Sequence, residues 1–379
     1  MTGVRDGAGS AAGSSRAPAR TGGWLEGDPV GDRRFVDLTG PFPLERGGRL
    51  PALRIAYETW GTLAPGGDNA VLVEHALTGD SHVVGPAGPG HPTPGWWSGI
   101  VGPGAALDTD RFFVVCANVL GGCQGTTGPS SPAPDGRRWG SRFPEVTVGD
   151  QVRAEAALAD ALGIARWAAV AGGSMGGMRA LEWAVAEPAR VGALFFLASG
   201  AIASADQIGT QTTQQAAVRA DARWAGGDYP LDAPPVDGLG VARRIAHLTY
   251  RSGRELESRF GAHLQIDGRY AVASYLEHHA DKLSRRFDAG SYVLLTEAMN
   301  SWDVGRGRGG VEAALSRVTA RALVAGVDTD RLYPLDQQRR VADALGVPLR
   351  VIPSPYGHDG FLIETDAVAA LLRELLGTL

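Results

Sequence analysis

Lysine is almost missing from this chain of 379 residues. Lys282 stands alone among 36 basic side chains, a mark of genomic base composition rather than of function. Cysteine is nearly as scarce. Cys116 and Cys123 are the only two, too few for a disulfide framework, which points to a reducing compartment and a cytoplasmic protein. No apolar run reaches the roughly 18 residues that would span a membrane. Charge of either sign is also short: 36 basic residues face 41 acidic ones, a net charge of −5, which argues against a protein built to hold nucleic acid. Residues 1–23, mostly Gly, Ala, Ser, Thr, Arg and Pro, contain no hydrophobic segment of the secretory type. They have too little apolar surface to offset the entropy of ordering, so a disordered tail is expected there. What remains is ordinary globular material, 44% hydrophobic and 20% charged, with room for one large core or two modest ones.

Short β-rich runs recur at 53–58, 70–75, 112–119, 168–171, 193–198, 322–327 and 349–352. Several are apolar throughout rather than alternating, as strands covered on both faces are. Helical patterns fill 149–162, 175–187, 335–345 and 366–376. Strands alternating with helices predict an α/β fold with a mostly parallel central sheet and helices on both faces. The stretch 204–300 differs: it is rich in Gln, Arg, His and Tyr, lacks buried-strand runs, and shows helical spacing at 239–250 and 270–283. It reads as a helical lid inserted between two parts of the core, 30–203 and 301–379. No repeat of 20–50 residues is present.

The chemistry begins at Gly172-Gly173-Ser174-Met175-Gly176, a G-x-S-x-G match. In a chain with 54 glycines that match is close to a chance event by composition alone. Its context is what raises it: an apolar strand ends just before it and a helix starts just after. Such a tight strand-to-helix turn needs glycine where a Cβ would clash, and it exposes the serine hydroxyl at the sheet edge. A serine hydroxyl is scarcely ionised at neutral pH and needs a base. Of eight histidines, only His358 lies in a loop after the last strand, within Pro355-Tyr356-Gly357-His358-Asp359-Gly360. The neighbouring glycines are expected to leave its imidazole exposed. The acid belongs after the preceding strand, where Asp328 and Asp330 compete. Asp330, four residues before Pro334, is preferred. Its carboxylate would fix the imidazole tautomer and stabilise the imidazolium. Backbone N–H groups of Met175 and of Leu77, with Ala76 the near alternative, would hold a developing oxyanion.

Other signals carry less. Arg306-Gly307-Arg308-Gly309-Gly310 resembles an RNA-binding element but is single and internal. Gly305, Gly307 and Gly310 make a G-x-G-x-x-G with no strand before it, so the dinucleotide reading fails. The two cysteines lack paired ligand spacing and His278-His279 has no nearby Cys, so no metal is expected.

With these residues in place, the chain resembles the homoserine O-acetyltransferase family, α/β-hydrolase-fold enzymes of methionine biosynthesis. The likeness rests on HALTGDSHV (75–83), CANVLGGCQGTTGPSS (116–131), GGSMGGMRALEW (172–183), ADQIGTQTTQQ (205–215), residues 269–287, DVGRGRGG (303–310), DRLYP (330–334) and SPYGHDGFLIE (354–364). It extends over about 30–378, and GPAGPGHPTPGWW at 85–97 is similar to actinobacterial members. The resemblance implies Ser174 as nucleophile, Asp330 as acid and His358 as base. It also implies Arg243 and Asp359 as substrate contacts: an arginine fork suits the carboxylate of L-homoserine and an aspartate suits its ammonium. Tyr250, about two helical turns past Arg243, is a lesser candidate on the same face. The implied reaction is a ping-pong transfer from acetyl-CoA, a co-substrate rather than a resident cofactor, to L-homoserine by a homodimer. Transfer from succinyl-CoA is the alternative within the family. A serine esterase or thioesterase on the same triad, and a binding protein on this scaffold, are the alternatives outside it.

Overall fold

A computed structural model of the chain describes residues 20–377. Its strands are β1 (Arg34–Pro43), β2 (Arg49–Trp60), β3 (Ala70–Glu74), β4 (Val101–Gly102), β5 (Leu107–Asp108), β6 (Phe113–Ala117), β7 (Ala169–Gly173), β8 (Ala193–Leu197), β9 (Arg321–Val327) and β10 (Leu349–Ile352). Eight of them form one sheet in the order β1-β2-β6-β3-β7-β8-β9-β10, while β4 and β5 pair separately. From β6 to β10 every pairing is parallel. The β1–β2 and β2–β6 pairings are antiparallel.

The strands at the centre are buried throughout and mostly apolar because both faces are covered. In β3, Leu72 joins one buried cluster while Val71 and Val73 join another. The first cluster lies under α1 (Val148–Ala161) and α2 (Met175–Ala186), through Val152, Leu158, Met178 and Leu181. The second receives Val368 and Leu372 from α11 (Thr365–Leu376). This is the α/β-hydrolase architecture: a mostly parallel sheet with helices on both faces.

Between β8 and β9 come α3 (Ala205–Arg219), α4 (Val236–Tyr250), α5 (Gly253–Phe260), α6 (Ala271–Ser284), α7 (Ala289–Asn300) and the short α8 (Val311–Leu315). α9 (Leu335–Leu345) follows β9, and α10 (Gly360–Ile363) precedes α11. Helix α3 is started by a capping box in which Ser204 and Gln207 satisfy each other's backbone N–H. It buries glutamines instead of an apolar stripe: Gln207, Gln211, Gln214 and Gln215 face inward beside Val218. Three of them are bonded, Gln207 to the Leu332 carbonyl (2.7 Å), Gln214 to the Tyr292 hydroxyl (2.8 Å) and Gln215 to Thr296 (3.0 Å).

One expectation needs correcting. Most of the tail expected to be disordered, 1–19, lies outside the described residues, but 20–23 belong to the folded body. Thr21 and Gly23 are buried, and Thr21 donates to Asp288 Oδ1 at 3.0 Å and to the Leu231 carbonyl at 2.7 Å. A Cβ on Gly22 would sit 2.1 Å from the Arg286 nitrogen. The small residues here allow close backbone approach, so their poverty in apolar surface is no sign of disorder. Strand β1 gives no strand signal in the sequence because it is an edge: every one of its residues is at least partly exposed. Cys116 and Cys123 are both free and buried, and burial pushes both thiols up from their usual range. Among the described residues no helix is long and apolar enough to cross a membrane.

Candidate active site

Ser174 ends β7 and caps the start of α2 with φ +58° and ψ −126°, a strained conformation for a residue with a side chain. It persists because its surroundings leave no alternative. Its N–H donates to the Leu197 carbonyl at 3.1 Å, and its own carbonyl accepts from Ser199 Oγ at 2.8 Å. The flanking glycines are required by contact. A Cβ on Gly176 would lie 2.1 Å from the Glu74 carbonyl oxygen, and one on Gly172 2.2 Å from that of Gly176.

His358 sits in a single 3-10 turn, Gly357–Asp359, after β10. Its Nε2 is 2.9 Å from Ser174 Oγ, and its Nδ1 is 2.6 Å from Asp330 Oδ2. The second oxygen of Asp330 accepts the N–H groups of Leu332 and Tyr333, each at 2.9 Å. These bonds leave the carboxylate one orientation. Asp328 instead accepts the N–H of Ser354 at 2.9 Å, tying the end of β9 to the strand beside it. The expectation of an exposed imidazole is wrong: His358 is 3% exposed. Tyr333 and Phe361 lie 5.2 Å from its ring and Tyr250 5.9 Å, so aromatic packing closes the space that the glycines open.

The Leu77 and Met175 N–H groups have no acceptor within the described residues. Leu77 lines the cavity at Ser174 together with Gln211, Tyr250, Met299 and Leu332; Ala76 does not. The loop that carries Leu77 is fixed from three sides. His75 Nδ1 is 2.8 Å from the Ala76 carbonyl, and its Nε2 accepts the Val119 N–H at 3.1 Å. These partners assign the neutral Nδ1–H tautomer, in keeping with burial and nearby Arg179, which lower the imidazole to about 3. Arg286 donates to the Thr78 carbonyl at 2.6 Å. Arg179, fully buried, donates to the His75 carbonyl at 2.6 Å and meets Glu155 at 2.6 Å and Glu74 at 2.7 Å. The Glu74 contact is an ion pair without hydrogen-bond alignment. Burial raises the Glu74 carboxyl well above its usual range, and the like charge of Glu155 opposes the help from Arg179.

A second group of charges faces His358. Arg243 on α4 holds its guanidinium 5.3 Å from the Tyr250 ring centroid, with Nε and Nη1 buried and unpartnered. Asp359 follows His358 directly. Burial raises its carboxyl, against the pull of Arg243, His358 and Arg251. The structure therefore brings Arg243, Tyr250 and Asp359 to one side of the Ser174–His358 pair. Sequence reasoning missed Arg251, which meets Asp359 at 3.2 Å; no periodicity links positions 251 and 359. It also missed Gln211, whose Oε1 is buried without a partner.

Among the described residues, Asp32, Glu58, His82 and His91 have metal-type donor atoms within 4.8 Å of one another. Most of the buried donors are already engaged, with His91 Nδ1 the one left unpartnered among the described residues. Glu58 accepts from Ser81 Oγ at 2.7 Å and pairs with His82 Nδ1 at 2.9 Å, and His91 Nε2 accepts the Asp32 N–H at 2.9 Å. The group works as a hydrogen-bonded brace.

Comparison with known proteins adds three findings. Residues 69–365 match the family model of the alpha/beta hydrolase fold. The chain is 63% identical over 369 residues to a homoserine O-acetyltransferase of Thermobifida fusca (strain YX), covering 94% of this chain and 97% of the relative. It is 58% identical to one of Clavibacter michiganensis subsp. michiganensis (strain NCPPB 382), covering 95% and 96%. Among solved structures, homoserine O-acetyltransferase from Bacillus anthracis superimposes with a TM-score of 0.84 at 26% identity, covering 91% of this chain and 97% of that one. Esterase E22 superimposes with 0.83, also at 26% identity, covering 91% and 99%.

Proposed function

The chain belongs to the homoserine O-acetyltransferase family, on the α/β-hydrolase fold, and from that membership we propose that it moves an acetyl group from acetyl-CoA to the hydroxyl of L-homoserine through an acyl-Ser174 intermediate. Ser174 Oγ attacks the thioester carbonyl while His358 Nε2 takes its proton. Asp330 holds the imidazole and stabilises its charged form. The tetrahedral oxyanion is received by the N–H groups of Leu77 and Met175, at the positive end of α2. Coenzyme A leaves as the thiol with the proton from His358. The homoserine hydroxyl then attacks the acetyl ester, His358 takes its proton, and collapse of the second tetrahedral species restores Ser174.

The observation that supports this acceptor is the Arg243–Asp359 arrangement: a guanidinium with two buried, unpartnered nitrogens and a carboxylate beside the base. A zwitterionic amino acid needs both charges and an ester hydrolase needs neither. Transfer wins over hydrolysis when the lid excludes water and these two groups hold the hydroxyl in attack geometry. The enzyme supplies methionine biosynthesis in the cytoplasm, where its acyl donor is. It works there as a homodimer, a state that suits Val241, Leu248, Leu264 and Ile266, apolar side chains left exposed on the inserted helices and the loop between them.

Thiol release from acetyl-CoA and from succinyl-CoA, each with and without L-homoserine, tests the reading. Sustained release from acetyl-CoA only with homoserine present is the expected result. Preference for succinyl-CoA moves the donor, and release independent of homoserine makes the protein a thioesterase. Replacing Arg243 by alanine is expected to raise the homoserine KM about 10- to 100-fold, the scale of one charged hydrogen-bond pair. The acetyl-CoA KM should stay within about twofold, since the acetyl group carries no carboxylate for Arg243 to hold. An equal rise in both would end the assignment of Arg243 to the acceptor carboxylate.

A further inference from the structure

The junction between α4 and α5 grips the loop that carries His358. Ser252 Oγ donates to the Pro355 carbonyl at 2.5 Å. Gly357, at φ +67°, packs so closely that a Cβ would lie 2.7 Å from the Ser252 nitrogen and 2.8 Å from the Tyr250 carbonyl oxygen. Between these contacts lies Arg251, whose side chain is 7% exposed. Its Nε and Nη2 bind the two oxygens of Glu255 at 3.3 and 2.9 Å. Its Nη1 reaches Asp359 Oδ2 at 3.2 Å, and the guanidinium lies 5.3 Å from the Tyr356 ring centroid. Asp359 Oδ1 has no hydrogen bond among the described residues.

We infer that Arg251 is a positioning residue for acceptor binding, holding Asp359 by one oxygen so that the other stays aimed at the acceptor's ammonium. The inference rests on the reading of Asp359 as the ammonium contact. Charge balance explains why Glu255 belongs to the device. A lone guanidinium beside Asp359 would neutralise the carboxylate that the ammonium needs. Paired in bidentate fashion with Glu255, which the half-exposed Arg259 also meets at 3.5 Å, Arg251 is partly neutralised and supplies direction without fully cancelling the charge.

The pH dependence follows from the groups that face Asp359. These are Arg243 and Tyr250 from α4, Arg251 and Glu255 at the α4–α5 junction, Tyr275 from α6, and His358 beside it. Burial already raises the Asp359 carboxyl, and the guanidiniums of Arg243 and Arg251 oppose that rise. Acceptor binding needs the ionised form, so it weakens as pH falls through that raised value. Removing Arg251 raises it further and moves the loss to higher pH.

The test compares Arg251→Gln, Arg251→Lys, Asp359→Asn and the double variant Arg251→Gln/Asp359→Asn. The pair Arg251→Gln/Glu255→Gln is added because it leaves no unbalanced buried charge if the single variant folds poorly. Two readouts are used: single-turnover acylation of Ser174 by acetyl-CoA, and the pH profile of kcat/KM for L-homoserine. In Arg251→Gln we expect acylation within about twofold of the parent, a homoserine KM at least about tenfold higher, and an acid limb displaced to higher pH. Lysine should restore part of the loss. In the Asp359→Asn background, Arg251→Gln should add nothing. Slowed acylation in both glutamine variants would reduce Arg251 to packing of the histidine loop and overturn the inference. So would a raised KM in Asp359→Asn with an unchanged one in Arg251→Gln. An unchanged homoserine KM in Asp359→Asn would overturn the reading of Asp359 itself.

Discussion

Replacing Ser174 by alanine is expected to lower coenzyme A release in the presence of homoserine by about four to six orders of magnitude, with thermal melting unchanged. The two halves of that result have separate causes. The hydroxyl's sole hydrogen-bond partner among the described residues is His358 Nε2, and without it no covalent intermediate forms. The base then has only water to activate. The fold does not depend on the oxygen: the strained backbone at φ +58° is held by the Leu197 carbonyl and Ser199 Oγ, and alanine keeps the Cβ. Release at a rate near the parent's would show that acetyl leaves acetyl-CoA by a route that never touches Ser174, and the acyl-enzyme mechanism would fall.

The largest effect on stability is expected at Arg179. Its replacement by methionine should cost about 3–5 kcal/mol, seen as a melting temperature lower by roughly 5–15 °C. The guanidinium is completely buried and stands between Glu74 and Glu155. Removing it leaves two carboxyl groups in apolar surroundings, one still bonded to Trp183 Nε1 at 2.9 Å. It also frees the His75 carbonyl, and with it the loop that carries Leu77. Activity should therefore drop even well below the melting temperature. Adding Glu74→Gln and Glu155→Gln should recover most of the stability and less of the activity, since the His75 contact is not restored. A melting temperature within about 2 °C of the parent in Arg179→Met would show that the Glu74–Arg179–Glu155 group is structurally neutral.

The sheet was readable because its inner strands are covered on both sides, which makes a run such as that from Ala70 to Val73 continuously apolar. Ser174 and His358 could be picked out for a related reason, since a tight turn at a sheet edge leaves glycine beside the functional side chain. The unreadable parts obey other rules. Strand β1 lies at the edge, partly wetted along its length, and has no period to detect. Helix α3 buries four glutamines, three of them through side-chain hydrogen bonds, so a search for apolar spacing passes over it. Its Ser204–Gln207 capping box was the available sign. Exposure at His358 was misjudged because the glycines beside it hide that Phe361, on α10, and Tyr333, from the segment after β9, fold over the ring. Arg251 lay out of reach because its partners are Glu255, one turn away, and Asp359, 108 positions later.

Both native sulfhydryls, at Cys116 and Cys123, lie out of contact with solvent and are held in the protonated form by burial. The folded protein therefore contributes no sulfur background to a chromogenic thiol reagent, and every colour-forming event during turnover reports liberated coenzyme A. The same two residues become a built-in gauge of integrity, because they react only when the core opens.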